Sequence, residues 1–119
     1  MRAQGFTLIE ALFATLILVT GIAAIAGVFS YGIRTSVRIR QESTAFALVA
    51  EKMEELKASE TRTPGLRSEY IGDTQTFIRT WEISVELPQR VTVTVAGRLA
   101  GSHGYLELAR ASTLVGPEF

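Results

Sequence analysis

Hydrophobic positions are distributed very unevenly along this chain: from Phe6 to Ile33 they run almost unbroken, and Glu10 is the only charged side chain among them. At about 1.5 Å rise per residue, these roughly 28 residues make a helix about 42 Å long, more than the ~30 Å hydrocarbon core of a bilayer. Beyond Arg34 the pattern changes character. Ile39, Phe46, Val49, Met53 and Leu56 recur at spacings of 7, 3, 4 and 3, separated by Arg38, Arg40, Glu42, Glu51, Lys52, Glu54, Glu55 and Lys57. That is the periodicity of an amphipathic helix. No Pro or Gly interrupts Ile33 to Lys57, so one helix is expected from Phe6 to about Ser59, with Phe46, Val49, Met53 and Leu56 turned toward a core.

After Thr63-Pro64-Gly65, a turn by its pre-proline restriction and Pro-Gly pair, the period shortens to two. A linker of about 15 residues is expected first. Trp81, Ile83, Val85 and Leu87 then alternate with Glu82, Ser84 and Glu86, and Val91, Val93 and Val95 alternate with Thr92 and Thr94. Each run reads as a strand with one buried face. The turn Leu87-Pro88-Gln89-Arg90 makes the two antiparallel, and a Gly-rich loop from Gly97 to Gly104 leads to a third strand at Tyr105 to Ala111, with Leu106 and Leu108 inward. Three short strands alone are marginal in water, so the amphipathic half of the helix is expected to close their core. The fold class is therefore α+β: a long N-terminal helix, transmembrane then amphipathic, packed by its C-terminal half on a small three-stranded antiparallel sheet.

An acid at the head of an apolar run is costly. At mid-membrane it amounts to about 2.5–3.5 kcal/mol on insertion scales, so Glu10 needs a partner or access to the interface. The hexapeptide that carries it, Gly5-Phe6-Thr7-Leu8-Ile9-Glu10, resembles the processing site of type IV pilins and the pseudopilins of type II secretion, and the resemblance covers residues 1 to about 57. It implies cleavage between Gly5 and Phe6 by a prepilin peptidase, N-methylation of the new Phe6 amine, and a Glu10 that pairs with a subunit amine in the fibre. The physical logic is consistent, because two buried charges offset each other's desolvation only when brought together. Two other readings bear on the same residues. Glu10 also complements its own helix dipole, worth a few tenths to about 1 kcal/mol, and Ala24-Ile25-Ala26 fits a small-x-small signal-peptidase site. The apolar run continues past that site to Ile33, which favours the prepilin reading.

The expected organisation is a leader at 1–5, a transmembrane and filament-core segment at 6–33, an amphipathic segment at 34–59 and a small β-rich head at 60–119. Ala23/Gly27 and Ala26/Ser30, spaced i, i+4, place small surfaces on one helical side where helices pack closely. The order of elements resembles that of small minor pilins and of the I-class minor pseudopilin. That resemblance implies other pilin or pseudopilin subunits, the prepilin peptidase, an inner-membrane assembly platform and membrane lipid as partners. It also implies a single-pass bacterial inner-membrane protein with its head outside the cytoplasm, later extracted into a filament.

Composition narrows the remaining options. Twelve basic residues balance 12 acidic ones, and there is no Cys, so neither a global field for nucleic acid nor a disulfide or thiolate metal site is expected. The single His, His103, lies between Ser102 and Gly104 without a nucleophile-elbow pattern, so no catalytic residue is expected. Asp73 is the sole Asp, which argues against a multi-carboxylate calcium loop; no metal or other cofactor is expected. The major pseudopilin of secretion systems has such a loop, so its absence favours a minor subunit of a type IV pilus, a DNA-uptake filament or a type II secretion filament. A reading of another class is a membrane-anchored module that binds a ligand through the Gly97–Gly104 loop. One conflict stands: Arg34, Arg38 and Arg40 outnumber Arg2, which by the positive-inside rule places the N-terminus outside, whereas cleavage after Gly5 needs it in the cytoplasm.

Overall fold

The structure, a computed structural model, describes residues 5–73, 76–98 and 102–116. One helix, α1 (Leu8–Ala58), is followed by four strands: β1 (Gly65–Ile71), β2 (Phe77–Ile83), β3 (Gln89–Arg98) and β4 (Tyr105–Val115). The strands form one antiparallel meander in the order β1-β2-β3-β4. The chain divides into two units, Met1–Arg38 and Ile39–Phe119.

Helix α1 starts two residues later than Phe6 because Thr7 caps it. The Glu10 amide donates to Thr7 Oγ1 at 3.3 Å and the Ala11 amide to the Thr7 carbonyl at 3.2 Å. The first bond satisfies an amide that has no backbone partner inside the helix, and the second is the first i→i−4 bond of the helix. At the other end Arg62 supplies the acceptor-side cap: its Nε donates to the Leu56 carbonyl at 2.9 Å and its Nη2 to the Lys57 carbonyl at 2.7 Å.

In the second unit the C-terminal half of α1 packs on the sheet. Val91, Val93 and Val95 are fully buried in the middle of β3, against Ile83, Ala109 and the helix residues Ala45, Val49, Met53 and Leu56. Phe46 does not join them; it is 60% exposed. At 100° per residue Ala45, Val49, Lys52 and Leu56 centre one stripe, and Phe46 falls just beyond its rim. The small Ala45, 0% exposed, occupies the contact instead.

The region expected as a linker holds β1 and the first half of β2, so the sheet has four strands rather than three. Strand β1 is mostly exposed and lacks an apolar alternation, which hid it from the pattern. Its start requires glycine, since Gly65 has φ +137°. Strand β2 stops at Ile83, and Val85 and Leu87 are exposed, contrary to the expected inward pair. There the Ser84 amide donates to the Arg90 carbonyl at 2.9 Å and the Arg90 amide to Ser84 Oγ at 2.8 Å, closing a connection longer than a four-residue turn.

Strand β4 extends to Val115, beyond the expected end at Ala111. A bulge breaks its register: Val95 lies opposite Ala109 and Ala96 opposite Glu107, leaving Leu108 as the additional residue. Leu108 packs against the core and Ala109 is buried, while Leu106, expected inward, is 49% exposed. The bulge lets Leu108 and Ala109 both reach the core, and Leu106, paired with Gly97 on that same face, lies beyond the buried cluster. Leu108 and Phe77 cover Gly97, where an added Cβ would lie 2.5 Å from Leu108 Cδ1 and 3.3 Å from Phe77 Cε1.

Candidate functional site

Gly5, Phe6 and Thr7 are exposed and outside the helix, and Glu10 occupies its first turn. Thr7-Leu8-Ile9-Glu10 has the Thr-x-x-Glu spacing of a capping box, a signal present in the sequence that assigns Thr7 a task sequence reasoning had not given it. The cap ends the helix one residue beyond Phe6, so the Gly5–Phe6 peptide lies in non-helical chain. Met1 to Gln4, the rest of the expected leader and the position of Arg2, lie outside the described residues.

From Leu8 onward the first unit is a single helix whose apolar side chains are all exposed: Leu12, Phe13, Leu16, Ile17, Leu18 and Val19 are typical. It is long and apolar enough to cross a membrane. Two of its hydroxyl groups are satisfied within the helix. Thr15 Oγ1 donates to the Ala11 carbonyl at 2.7 Å, and Thr20 Oγ1 to the carbonyls of Ile17 and Leu16 at 2.9 and 3.0 Å. Polar groups treated this way are compatible with hydrocarbon surroundings. Ala23, Ala26, Gly27 and Ser30 lie exposed along the same segment, and no Cβ added at Gly27 would meet another atom. Glu10 is thus a lone carboxylate at the end of an apolar surface that the first unit does not cover.

The second unit contains a cluster of charges with a different character. Arg79 on β2 is 6% exposed and lies directly opposite Glu69 of β1. Its Nε donates to Glu69 Oε1 at 2.6 Å and its Nη2 also reaches that carboxylate. Its Nη1 donates to the Leu48 carbonyl at 3.1 Å and lies 3.7 Å from Glu51 Oε1. One guanidinium therefore ties β1, β2 and α1 together. Beside it Lys52, 7% exposed, places its ammonium 4.2 Å from the centroid of the Trp81 ring and donates to both oxygens of Glu55 at 2.9 and 3.0 Å. The Lys52 hydrogen bond, aided by the Lys52 and Arg79 charges and opposed by slight burial, holds the Glu55 carboxyl below its ordinary value of 4.5. Every polar atom in these two clusters that is buried has a partner. Both therefore read as structural clamps, and charge periodicity alone, which places Lys52 on a solvated face, concealed them.

Other expected elements are dispersed. Val49, Met53 and Leu56 lie in the core and Phe46 on the surface. His103 is exposed in the connection before β4, and Leu99 to Gly101 of that loop lie outside the described residues. No group of three His, Asp or Glu side chains among the described residues is placed to hold a metal ion. Comparison with protein-family models, curated proteins and solved structures gives no match. A long apolar N-terminal helix whose continuation packs on an antiparallel sheet is compatible with a pilin-like fold.

Proposed function

We propose that this chain is a non-enzymatic, membrane-anchored subunit of a pilin-like filament. The observation that carries the proposal is the combination at the N-terminus: a non-helical Gly5-Phe6-Thr7 next to a lone Glu10, heading an exposed apolar helix. Cleavage between Gly5 and Phe6 creates an amine at Phe6, which is then methylated. Glu10 pairs with the amine of a neighbouring subunit as the apolar helices bundle, and each charge offsets the other's desolvation. Before assembly the helix rests in the inner membrane with the β-rich unit outside the cytoplasm. Arg34, Arg38 and Arg40 then contact outer-leaflet headgroups or acidic neighbours.

The reading covers a minor subunit of a type IV pilus, of a DNA-uptake filament or of a type II secretion filament. Mass spectrometry of the chain recovered from membranes tests it. The expected product begins at methylated Phe6 and depends on the prepilin peptidase; a product beginning at Gly27 overturns the proposal in favour of an ordinary signal peptide. Glu10→Ala is expected to leave cleavage intact and to abolish co-purification with other pilin-like subunits. Unchanged function together with no such partners favours a membrane-anchored binding module. A reporter fused after Lys57 that reads cytoplasmic overturns the proposed topology.

A further inference from the structure

The meander leaves two free edges, β1 and β4, and among the described residues no strand pairs with either. Beyond its bulge β4 has seven residues in unbroken register, Ala109–Val115, with Arg110 as their only charge. Natural sheets blunt such edges with Pro, Lys, bulges or a cover, because open amide and carbonyl rows template pairing. Strand β1 is also seven residues long, Gly65–Ile71.

We infer that these two edges are complementary, and that β4 of one molecule pairs antiparallel with β1 of a second copy of this chain. Four antiparallel strands leave β1 and β4 running in opposite directions, so a copy displaced sideways, and turned by the twist that four strands accumulate, continues the sheet. The two seven-residue segments then align Leu66 with Leu114, Ser68 with Ser112 and Tyr70 with Arg110.

Three features fit that register, the first two both following from the alternation of the sheet. The faces agree: Arg67 and Glu69 share the core face of β1 through the β2 and β3 registers, as Thr113 and Ala111 do on β4. Leu66, Ser68 and Tyr70 fall on the opposite face, as do Leu114, Ser112 and Arg110. The hydrogen-bonding phase agrees as well. The Ser84 amide bonds Arg90 and the Arg98 amide bonds Thr76, so even-numbered residues of β2 and β3 point at each other. Antiparallel strands alternate the direction of these groups, so the amides of Leu66, Ser68 and Tyr70, and of Arg110, Ser112 and Leu114, point to the free edges. Finally, Leu66 is 69% exposed and Leu114 59%, and the pairing brings the two leucines together. The contact is heterologous and so repeats in an open row. Tethering in a membrane raises its effective concentration.

This inference concerns the second unit alone and stands whether or not the chain is processed at Gly5. Because the chain has no Cys, single-cysteine variants test it in the full-length protein in its native membranes. Ser68→Cys and Ser112→Cys molecules, carrying different tags and co-expressed, are expected to form a mixed disulfide on oxidation, since directly opposed residues place their Cα atoms about 5.5 Å apart. Ser68→Cys with Thr94→Cys, a residue in the interior of the sheet, is expected not to cross-link. Adding Leu114→Pro to the Ser112→Cys chain removes an amide that faces only the free edge, and adding Leu114→Lys instead puts a charge opposite Leu66. Both are expected to abolish the mixed disulfide while Trp81 fluorescence still reports a folded β-rich unit. Absence of the mixed disulfide, its persistence in the Leu114→Lys chain, equal cross-linking of Thr94→Cys, or predominant Ser112→Cys self-pairing overturns the inference. A chain that keeps its leader yet forms the mixed disulfide counts against the filament proposal alone; a processed chain without it counts against the edge pairing alone.

Discussion

The two halves of α1 solve opposite problems with the same backbone. From Leu8 to Ile33 the helix carries large apolar side chains on all sides, none covered by the first unit, and its Thr hydroxyls bond inward to its own carbonyls. From Ile39 to Ala58 the helix buries one stripe, Ala45, Val49, Lys52, Met53 and Leu56, and turns its remaining charges outward. The second half is complete within one chain, whereas the first needs lipid or other helices to lower its free energy. The difference separates what stabilises the β-rich unit from the apolar surface that the proposed anchoring and assembly use.

The comparison predicts that substitutions in one half leave the other untouched. The largest expected effect is at the centre of the apolar half: Leu18→Arg raises the cost of membrane insertion by about 3–4 kcal/mol. It should move the protein out of the membrane fraction. Trp81, the only Trp, reports on the β-rich unit, so its fluorescence transition in urea should not shift in the same variant. A shifted transition breaks the comparison.

Next comes Arg79→Ala, expected to destabilise the β-rich unit by about 2–3 kcal/mol, because the buried guanidinium supports both the Glu69 carboxylate and the Leu48 carbonyl. The effect is kept below that of a fully buried pair by the partial exposure of Glu69, 38% for its side chain. The urea midpoint measures it, and membrane association should remain unchanged. Gly97→Ala should cost about 1–2 kcal/mol by the same assay, since Leu108 and Phe77 must yield to the new methyl group.

The smallest effect concerns pH. Lys52 holds the Glu55 carboxyl below its ordinary value, so the folded state has the lower pKa. The pair's stabilisation is then fully present above the ordinary carboxylate range and is lost as pH falls through the lowered folded value. Glu55 is exposed, so the change is small, and comparing acid unfolding of the wild type with that of Glu55→Gln should show a shallower acid-side slope in the variant.

The same contrast explains which parts of the fold were legible in the sequence. A run of apolar residues with a single acid needs no tertiary partner to be recognised, so the long helix was expected nearly to its ends, and Thr7 accounts for the later start. The Val91, Val93 and Val95 row was equally plain, because a strand buried on one face repeats every two residues. Strand β1 was not, because an edge strand with exposed side chains lacks that contrast. Phe46 and Ala45 show the limit for helices: hydrophobicity favours the larger residue, but close approach of helix and sheet favours the smaller one. Lys52 and Arg79 show it for charges, since their type points to solvent and only the partners reveal why they are buried.

Of the candidate sites, Gly5, Phe6 and Glu10 were selected by local order alone, and their proposed task depends on local chemistry at one chain end. The edges depend on information of another kind. That Leu66 and Leu114 lie on one face with outward amides follows from four strands and three registers acting together, and no window of sequence contains those relations. Sequence by itself determined which residues form an all-round apolar helix and which form a core stripe, because hydrophobicity and period are properties of neighbours along the chain. Tertiary structure alone decided which residues meet across the sheet and which edges stay open, because register is set by strands distant in sequence.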